Sequence, residues 1–236
     1  MKKVLITRDK KRSIDLNNLL KKEGYEIFNE PLFDIIEQEY IIDNKNDIAA
    51  IIITSFYAVK EIIKSNMSRD ITIFAVGKFS CKKLKDLGYK DIRVAKNNSA
   101  QSLLKLIIES HDNLKKASIY YFRGQDITID FKKELSKRSL EITDVICYKA
   151  AARLNFSPKL LDFLKKNKFD EVLIYSRNSA KIFINLVERH NLIEYFKYSK
   201  ILCLSLDIAK IIKYKENYFS NIDIFSNSKI LNDFYD

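Results

Sequence analysis

Residues 48–63 read IAAIIITSFYAVKEII, and residues 171–186 read EVLIYSRNSAKIFINL. Each is an apolar run, then a serine, then apolar positions at helical spacing. A short continuous apolar run bounded by a turn is the pattern of a strand buried on both faces, and the spacing of three to four after it is that of a helix. The agreement continues downstream. Residues 71–94 (ITIFAVGKFSCKKLKDLGYKDIRV) and 200–224 (KILCLSLDIAKIIKYKENYFSNIDI) both read strand, helix, strand. The two copies are offset by roughly 120–130 residues, too far for a solenoid and right for two similar α/β domains. Alternation of buried strands with helices implies parallel sheets flanked by helices in each. A cleft where two such domains meet is the expected place for a small ligand.

Working outward, Lys3–Thr7 reads as a buried strand and Arg12–Glu23 as a helix stopped by Gly24. Tyr25–Phe28 is a second strand, Pro31 breaks the rhythm, and Leu32–Tyr40 runs extended. Ile127–Ser136 and Ala180–Arg189 read as helices, as do Leu206–Tyr214 and residues 229–234. Leu140–Ala150 is a long extended run, and Ser157-Pro158 opens another helix as cap and first turn. The first β-α-β unit has no sheet of its own. The simplest closure joins residues 1–36 to 153–236 as a discontinuous α/β domain, with 42–143 inserted as the second. Residues 37–41 and 144–152 are then connecting strands, a two-stranded hinge.

Composition narrows the function. The 236 residues carry 42 Lys and Arg against 31 Asp and Glu, a net charge of +11 that favours an anionic partner. The cations form no long patch; Lys82, Lys83 and Lys85 alternate with apolar positions as a solvated face does. Nucleic acid is therefore not expected, since no helix-turn-helix, RRM or zinc signature accompanies the charge. Three scattered cysteines and two histidines imply neither a metal site nor a disulfide scaffold, and fit a reducing cytoplasm. An enzyme built on the Cys81 thiol is a weaker reading than buried packing. Four glycines in the whole chain leave no dinucleotide fingerprint and no phosphate loop. No apolar run approaches the ~20 residues of a membrane span, and the short stretch after Met1-Lys2-Lys3, ended by Arg8-Asp9, is no signal peptide.

A series of short motifs covers nearly the whole chain: Val4-Leu5-Ile6-Thr7-Arg8, Gly24-Tyr25-Glu26 with Pro31-Leu32, Thr54-Ser55 with Ala58-Val59, and Ala75-Val76-Gly77. Arg123-Gly124, Val145 with Cys147-Tyr148, and Tyr175-Ser176 with Ser179-Ala180 follow. Each is weak alone; their order resembles that of the uroporphyrinogen-III synthase family. The resemblance implies a lyase of haem biosynthesis that closes hydroxymethylbilane, a linear tetrapyrrole with eight carboxylates, to uroporphyrinogen III. Ring D is inverted through a spiro intermediate, with no metal or cofactor. It also implies a monomer, no membrane partner, and transient contact with the preceding enzyme, hydroxymethylbilane synthase.

Tyr148 matches the family's tyrosine on the return crossing and is the expected proton donor, because a phenol keeps its proton at neutral pH. Packing on the hinge is the alternative for it. Carboxylates can be held by amides at helix N-termini and by nearby hydroxyls, beyond the carboxyl ends of the strands. The residues expected there are Thr7, Arg8, Ser55, Gly77, Ser80, Arg123, Gly124, Ser176 and Ser179. Ser80 stands where the family has a threonine and reads equally as a helix cap. Arg8 reads alternatively as a surface ion pair with Asp9 or Asp34. The second copy departs from the pattern: Ser205-Leu206-Asp207-Ile208 puts an aliphatic side chain where a hydroxyl is expected, and a carboxylate beside it. That departure supports the competing reading, a non-catalytic tetrapyrrole- or anion-binding protein of the same fold.

Overall fold

The structure, a computed structural model, describes residues 1–42, 48–96, 99–110, 118–215, 217–228 and 231. The chain runs β1 (Lys3–Ile6), α1 (Ile14–Lys22), β2 (Glu26–Asn29), β3 (Phe33–Glu37), β4 (Ile48–Ile53) and α2 (Tyr57–Lys64). It continues β5 (Thr72–Ala75), α3 (Lys78–Asp86), β6 (Ile92–Val94), α4 (Ala100–Glu109), β7 (Ser118–Gly124) and α5 (Phe131–Ser136). Then come β8 (Ile142–Ala152), α6 (Pro158–Leu164), β9 (Glu171–Ile174), α7 (Arg177–Arg189) and α8 (Ile193–Phe196). The last elements are β10 (Lys200–Cys203), α9 (Leu206–Lys213) and β11 (Asn221–Ile224). The helix expected over 229–234 falls outside the described residues except for Leu231, which is in a turn.

Contacts divide the chain into two compact units, residues 1–34 with 151 onward, and residues 35–150. The first holds a sheet of order β11-β10-β9-β1-β2, the second a sheet of order β3-β8-β7-β4-β5-β6. The pairs within β11-β10-β9-β1-β2 and within β8-β7-β4-β5-β6 are parallel. The repeat seen in sequence covers β4-β5-β6 and β9-β10-β11. The remaining strands are supplied differently: in the six-stranded sheet β3 precedes its copy and β7 and β8 follow it, whereas in the five-stranded sheet β1 and β2 precede theirs by more than half the chain. The chain passes from unit to unit within β3 and β8, which are neighbours in one sheet.

Both sheets are buried on both faces, which is why their strands are apolar runs. In the first unit, Leu5, Val172, Ile174, Ile201 and Cys203 face α6, α7 and α9 through Leu160, Leu164, Phe183, Val187 and Ile212. Val4, Ile6, Leu173 and Leu202 face α1 through Leu16 and Leu20. In the second, Ile51, Ile53, Ile73 and Phe122 face α2 and α3, and Ala50, Ile52, Phe74 and Tyr121 face α4 and α5. Alternate residues of one strand thus serve opposite helix layers.

Helix starts follow capping chemistry. α6 opens at Pro158 with the Ser157 hydroxyl accepting the Leu160 N–H at 3.2 Å. The buried Glu30 carboxylate accepts from the Ser157 N–H and hydroxyl, both at 2.7 Å, and so pins that start to the end of β2. α7 begins at Arg177, earlier than the apolar spacing indicates, because Ser176 accepts the Ser179 N–H at 3.0 Å. α5 begins later than expected, at Phe131, because Asp130 is its cap and accepts the Lys133 N–H at 2.9 Å. Residues 10–13, expected in part as α-helix, are a 3-10 turn leading into α1.

Candidate active site

In an open parallel sheet, a crevice forms where neighbouring strands send their helices to opposite faces, beyond the carboxyl ends of the strands. In the second unit those strands are β4 and β7: α2 after β4 packs on one face and α5 after β7 on the other. Thr54-Ser55 follows β4, and Arg123-Gly124 ends β7. The next strand, β8, brings Tyr148 to the same place through an irregularity in register. Arg123 pairs with Ile146, yet Gly124 pairs with Tyr148, so one step on β7 spans two on β8. That extra residue is a bulge, which re-aims the side chain that follows it.

The Tyr148 ring lies over Gly124. A Cβ there would sit 2.7 Å from Cε2, 2.9 Å from Cζ and 3.2 Å from the hydroxyl, so only glycine leaves space for the phenol. The Ser55 side chain and the Gly124 backbone lie close enough to the phenol to act on its ionisation, and Tyr57 packs beside it with ring centroids 5.7 Å apart. Burial raises the Tyr148 pKa above the ordinary phenol value, opposed by the nearby Ser55 side chain. Tyr148 therefore holds its proton at neutral pH. Tyr121, on the neighbouring strand, is hydrogen-bonded to the Thr54 hydroxyl at 2.9 Å and is pushed by burial up to about 12.

Arg123 is engaged within the protein. Its guanidinium donates to the Gly124 carbonyl at 3.0 Å, the Gln125 carbonyl at 3.1 Å and the Asp144 carboxylate at 3.1 Å. It clamps the turn after β7, the turn that carries Gly124. Cys147 lies behind, buried, with its thiol donating to the Arg123 carbonyl at 3.3 Å; desolvation pushes its pKa up to about 12. Burial does the same to Cys203, and thiol chemistry at either position is thereby disfavoured at neutral pH.

The equivalent crevice of the first unit lies beyond β1 and β9. Thr7 is buried there, and its hydroxyl donates to the Leu173 carbonyl at 2.6 Å, a cross-strand tie. The Arg8 guanidinium stacks on the Tyr175 ring at 4.2 Å and donates to the Arg12 carbonyl at 2.7 Å. Its expected alternative partner Asp34 is bound by Arg153 instead, at 2.8 Å. The Tyr175 hydroxyl is buried with no hydrogen-bond partner among the described residues, and burial raises its pKa. Ser176 and Ser179 bond each other through their hydroxyls at 2.7 Å.

The structure thus brings together Ser55, Gly124 and Tyr148 at one point, and Thr7 and Arg8 with Tyr175 at another. Gly77 and Ser80 open α3 at the end of β5, where Gly77 takes φ 89° and the helix has no side-chain cap. Among the described residues no group of three His, Cys, Asp or Glu stands ready to hold a metal.

A family model described as uroporphyrinogen-III synthase HemD matches residues 14–215 of the chain. The chain belongs to the uroporphyrinogen-III synthase family. Among solved structures, uroporphyrinogen-III synthetase from Helicobacter pylori superposes with a TM-score of 0.63 at 16% identity, covering 99% of this chain and 98% of that one. A mutant uroporphyrinogen III synthase from the extremely thermophilic bacterium Thermus thermophilus gives 0.54 at 13% identity, covering 98% and 95%. At such identities these likenesses speak for the fold. An uncharacterised protein of Rickettsia prowazekii is 24% identical over 90% of both chains. The family places the protein in porphyrin biosynthesis, and no helix among the described residues is long and apolar enough to cross a membrane.

Set in this family, the departure at Ser205–Ile208 has a different meaning from the one expected. Ser80, Ser179 and Ile208 are each the third residue of a helix, and all three side chains are buried. Ile208 belongs to the core beneath α9, and Asp207 is exposed, 3.5 Å from Lys210. The third helical position faces inward, so an aliphatic residue there packs; it does not present a fault to a ligand. Sequence reasoning did not pick out Asp144 or Tyr57. Asp144 had a signal, an acid inside a long extended run; Tyr57 had none among thirteen tyrosines.

Proposed function

We propose that this protein is a uroporphyrinogen-III synthase that closes hydroxymethylbilane with inversion of ring D and releases water. The observation that carries the reading is the neutral phenol of Tyr148, seated on Gly124 beside Ser55 at a strand-end crevice. The first step needs a proton. Tyr148 donates it to the terminal hydroxyl, the C–O bond breaks, and water leaves as the pyrrole nitrogen lone pair forms an azafulvene. Ring closure later releases a proton from carbon as the pyrrole regains aromaticity, which restores the phenol. The reaction consumes no external acid or oxidant. What remains is positioning, since unguided closure yields the type I isomer without inversion. The first-turn amides of α3, which have no side-chain cap, and the hydroxyl of Ser55 are the groups in this unit suited to the substrate carboxylates.

A second reading is a non-catalytic tetrapyrrole- or anion-binding protein, favoured by the exposed Asp207 carboxylate in the first turn of α9. One experiment separates the two. The protein is incubated with hydroxymethylbilane, without added metal or nucleotide, and the oxidised products are resolved by isomer. Diversion from type I to type III supports the enzyme. Type I alone from folded protein sinks it, and tight binding of uroporphyrinogen III in the same preparation would then favour the second reading.

A further inference from the structure

The sequence KFSCKKLKD of α3 reads as a solvated helix face, but the structure gathers its lysines. Lys78, Lys82 and Lys85 line one cavity of about 550 Å³ in the second unit, and Lys96, from the segment after β6, lines it as well. Cys81, Val94 and Ala95 contribute to the lining, and Asp86 is its one carboxylate. Lys78, Lys82 and Lys85 have the spacing i, i+4, i+7 and so form one stripe. At about 1.5 Å per residue the stripe is about 10 Å long.

Like charges at this spacing oppose each other on a helix. In places the fold offsets such charge locally: Lys60 and Lys64 share Glu37, Lys90 meets Asp70 at 2.8 Å, and Lys215 meets Glu188 at 2.7 Å. Lys82, Lys85 and Lys96 have no carboxylate partner among the described residues. A groove between α7 and α9 has its Lys210 and Lys215 paired with Asp207 and Glu188, and Arg177 and Lys181 line it as well.

We propose that α3 and the segment after β6 form a binding site for a small polyanion whose phosphate or carboxylate groups spread over about 10 Å. A single phosphate is too short to reach along the stripe, whereas a linear tripolyphosphate or an oligocarboxylate spans it. Neighbouring lysines of the stripe, about 4.5–6 Å apart along the helix axis, lie within the Debye length of about 8 Å at physiological salt, so adjacent charges act on one ligand together. Lys78 lies in the first turn of α3, given above to substrate carboxylates, whereas Lys82, Lys85 and Lys96 lie outside that turn and carry the proposal.

Two probes distinguish the sources: inorganic tripolyphosphate for the phosphate class, and benzenehexacarboxylate for the carboxylate class. Titration calorimetry on the full chain should show saturable binding of one equivalent of at least one probe, weakened by added salt. Each exposed ion pair is worth up to about fivefold in affinity, so Lys82→Gln/Lys85→Gln should weaken binding about tenfold. Lys21→Gln/Lys22→Gln removes the same charge from α1 and should change it by less than about twofold. All four lysines are exposed, so both variants should keep the parent circular dichroism spectrum. Equal loss in the two variants would mean diffuse charge only and would overturn the site. So would the absence of saturable binding, or binding of a short single-stranded oligonucleotide when neither small probe binds.

Discussion

Gly124→Ala tests the geometry on which the Tyr148 assignment rests. An added Cβ would lie 2.7 Å from Tyr148 Cε2 and 2.9 Å from Cζ. Ordinary carbon–carbon contact is about 3.5–4.0 Å, so the ring must withdraw by about 1 Å. Tyr57 flanks the ring, so withdrawal breaks contacts. Overpacking of this kind costs about 1–3 kcal/mol. Against it stands the loss of backbone freedom in the unfolded chain, which stabilises an alanine by about 0.4–1 kcal/mol. The net expectation is destabilisation of about 1–2 kcal/mol, read from urea denaturation followed by circular dichroism. A misplacement of 1 Å at a reacting group costs about 10²-fold in rate, read from type III isomer formation. A double-mutant cycle with Tyr148→Ala isolates the cause, because removing the ring removes the clash and the added methyl should then cost nothing. If Gly124→Ala matches the parent within about 0.5 kcal/mol in stability, the ring does not occupy this place, and the argument for an aimed phenol fails.

Tyr148→Phe should preserve folding and lower type III formation by about 10²–10⁴-fold; a rate within twofold of the parent would return Tyr148 to packing. The proton-bearing form is the active one and its pKa is raised, so the alkaline fall in rate should begin only above the ordinary phenol range near about 10. A limb centred near neutral pH would contradict this. Ile208→Thr should destabilise the fold by about 2 kcal/mol without tightening uroporphyrinogen binding, since it places a hydroxyl in the core. Asp207→Thr should change stability by less than about 1 kcal/mol, since only a charge at the helix N-terminus is lost. Tighter product binding in the Ile208 variant would show that this position faces the ligand after all. Cys147 and Cys203 should resist iodoacetamide in the native protein and react on unfolding, followed by mass spectrometry; rapid native labelling would contradict their raised pKa values.

The order of residues was enough to specify the set of elements and the class of fold. Runs such as Ile51-Ile52-Ile53 and Val172-Leu173-Ile174 have apolar side chains on both faces, so they can only be strands covered twice, and parallel sheets follow. Ser157-Pro158 marks a helix start, and Gly24 and Gly88, both at positive φ, follow helix ends, because these are local matters of backbone and nearest neighbours. The order of motifs sufficed for the family. Which polar groups remain available was settled by the packing of distant segments. Thr7 and Arg123 are the residue types that bind carboxylates, yet one hydroxyl is turned onto Leu173 and one guanidinium is spent on Asp144 and the turn after β7. Gly124 carries no sign in sequence that a tyrosine ring needs its missing side chain; that follows from a bulge between two strands. Ile208 looked like a damaged ligand position and is core. Periodicity reports which face a side chain takes, but its neighbours on that face come from distant segments of the chain, and only their packing decides whether a donor is used up inside the protein.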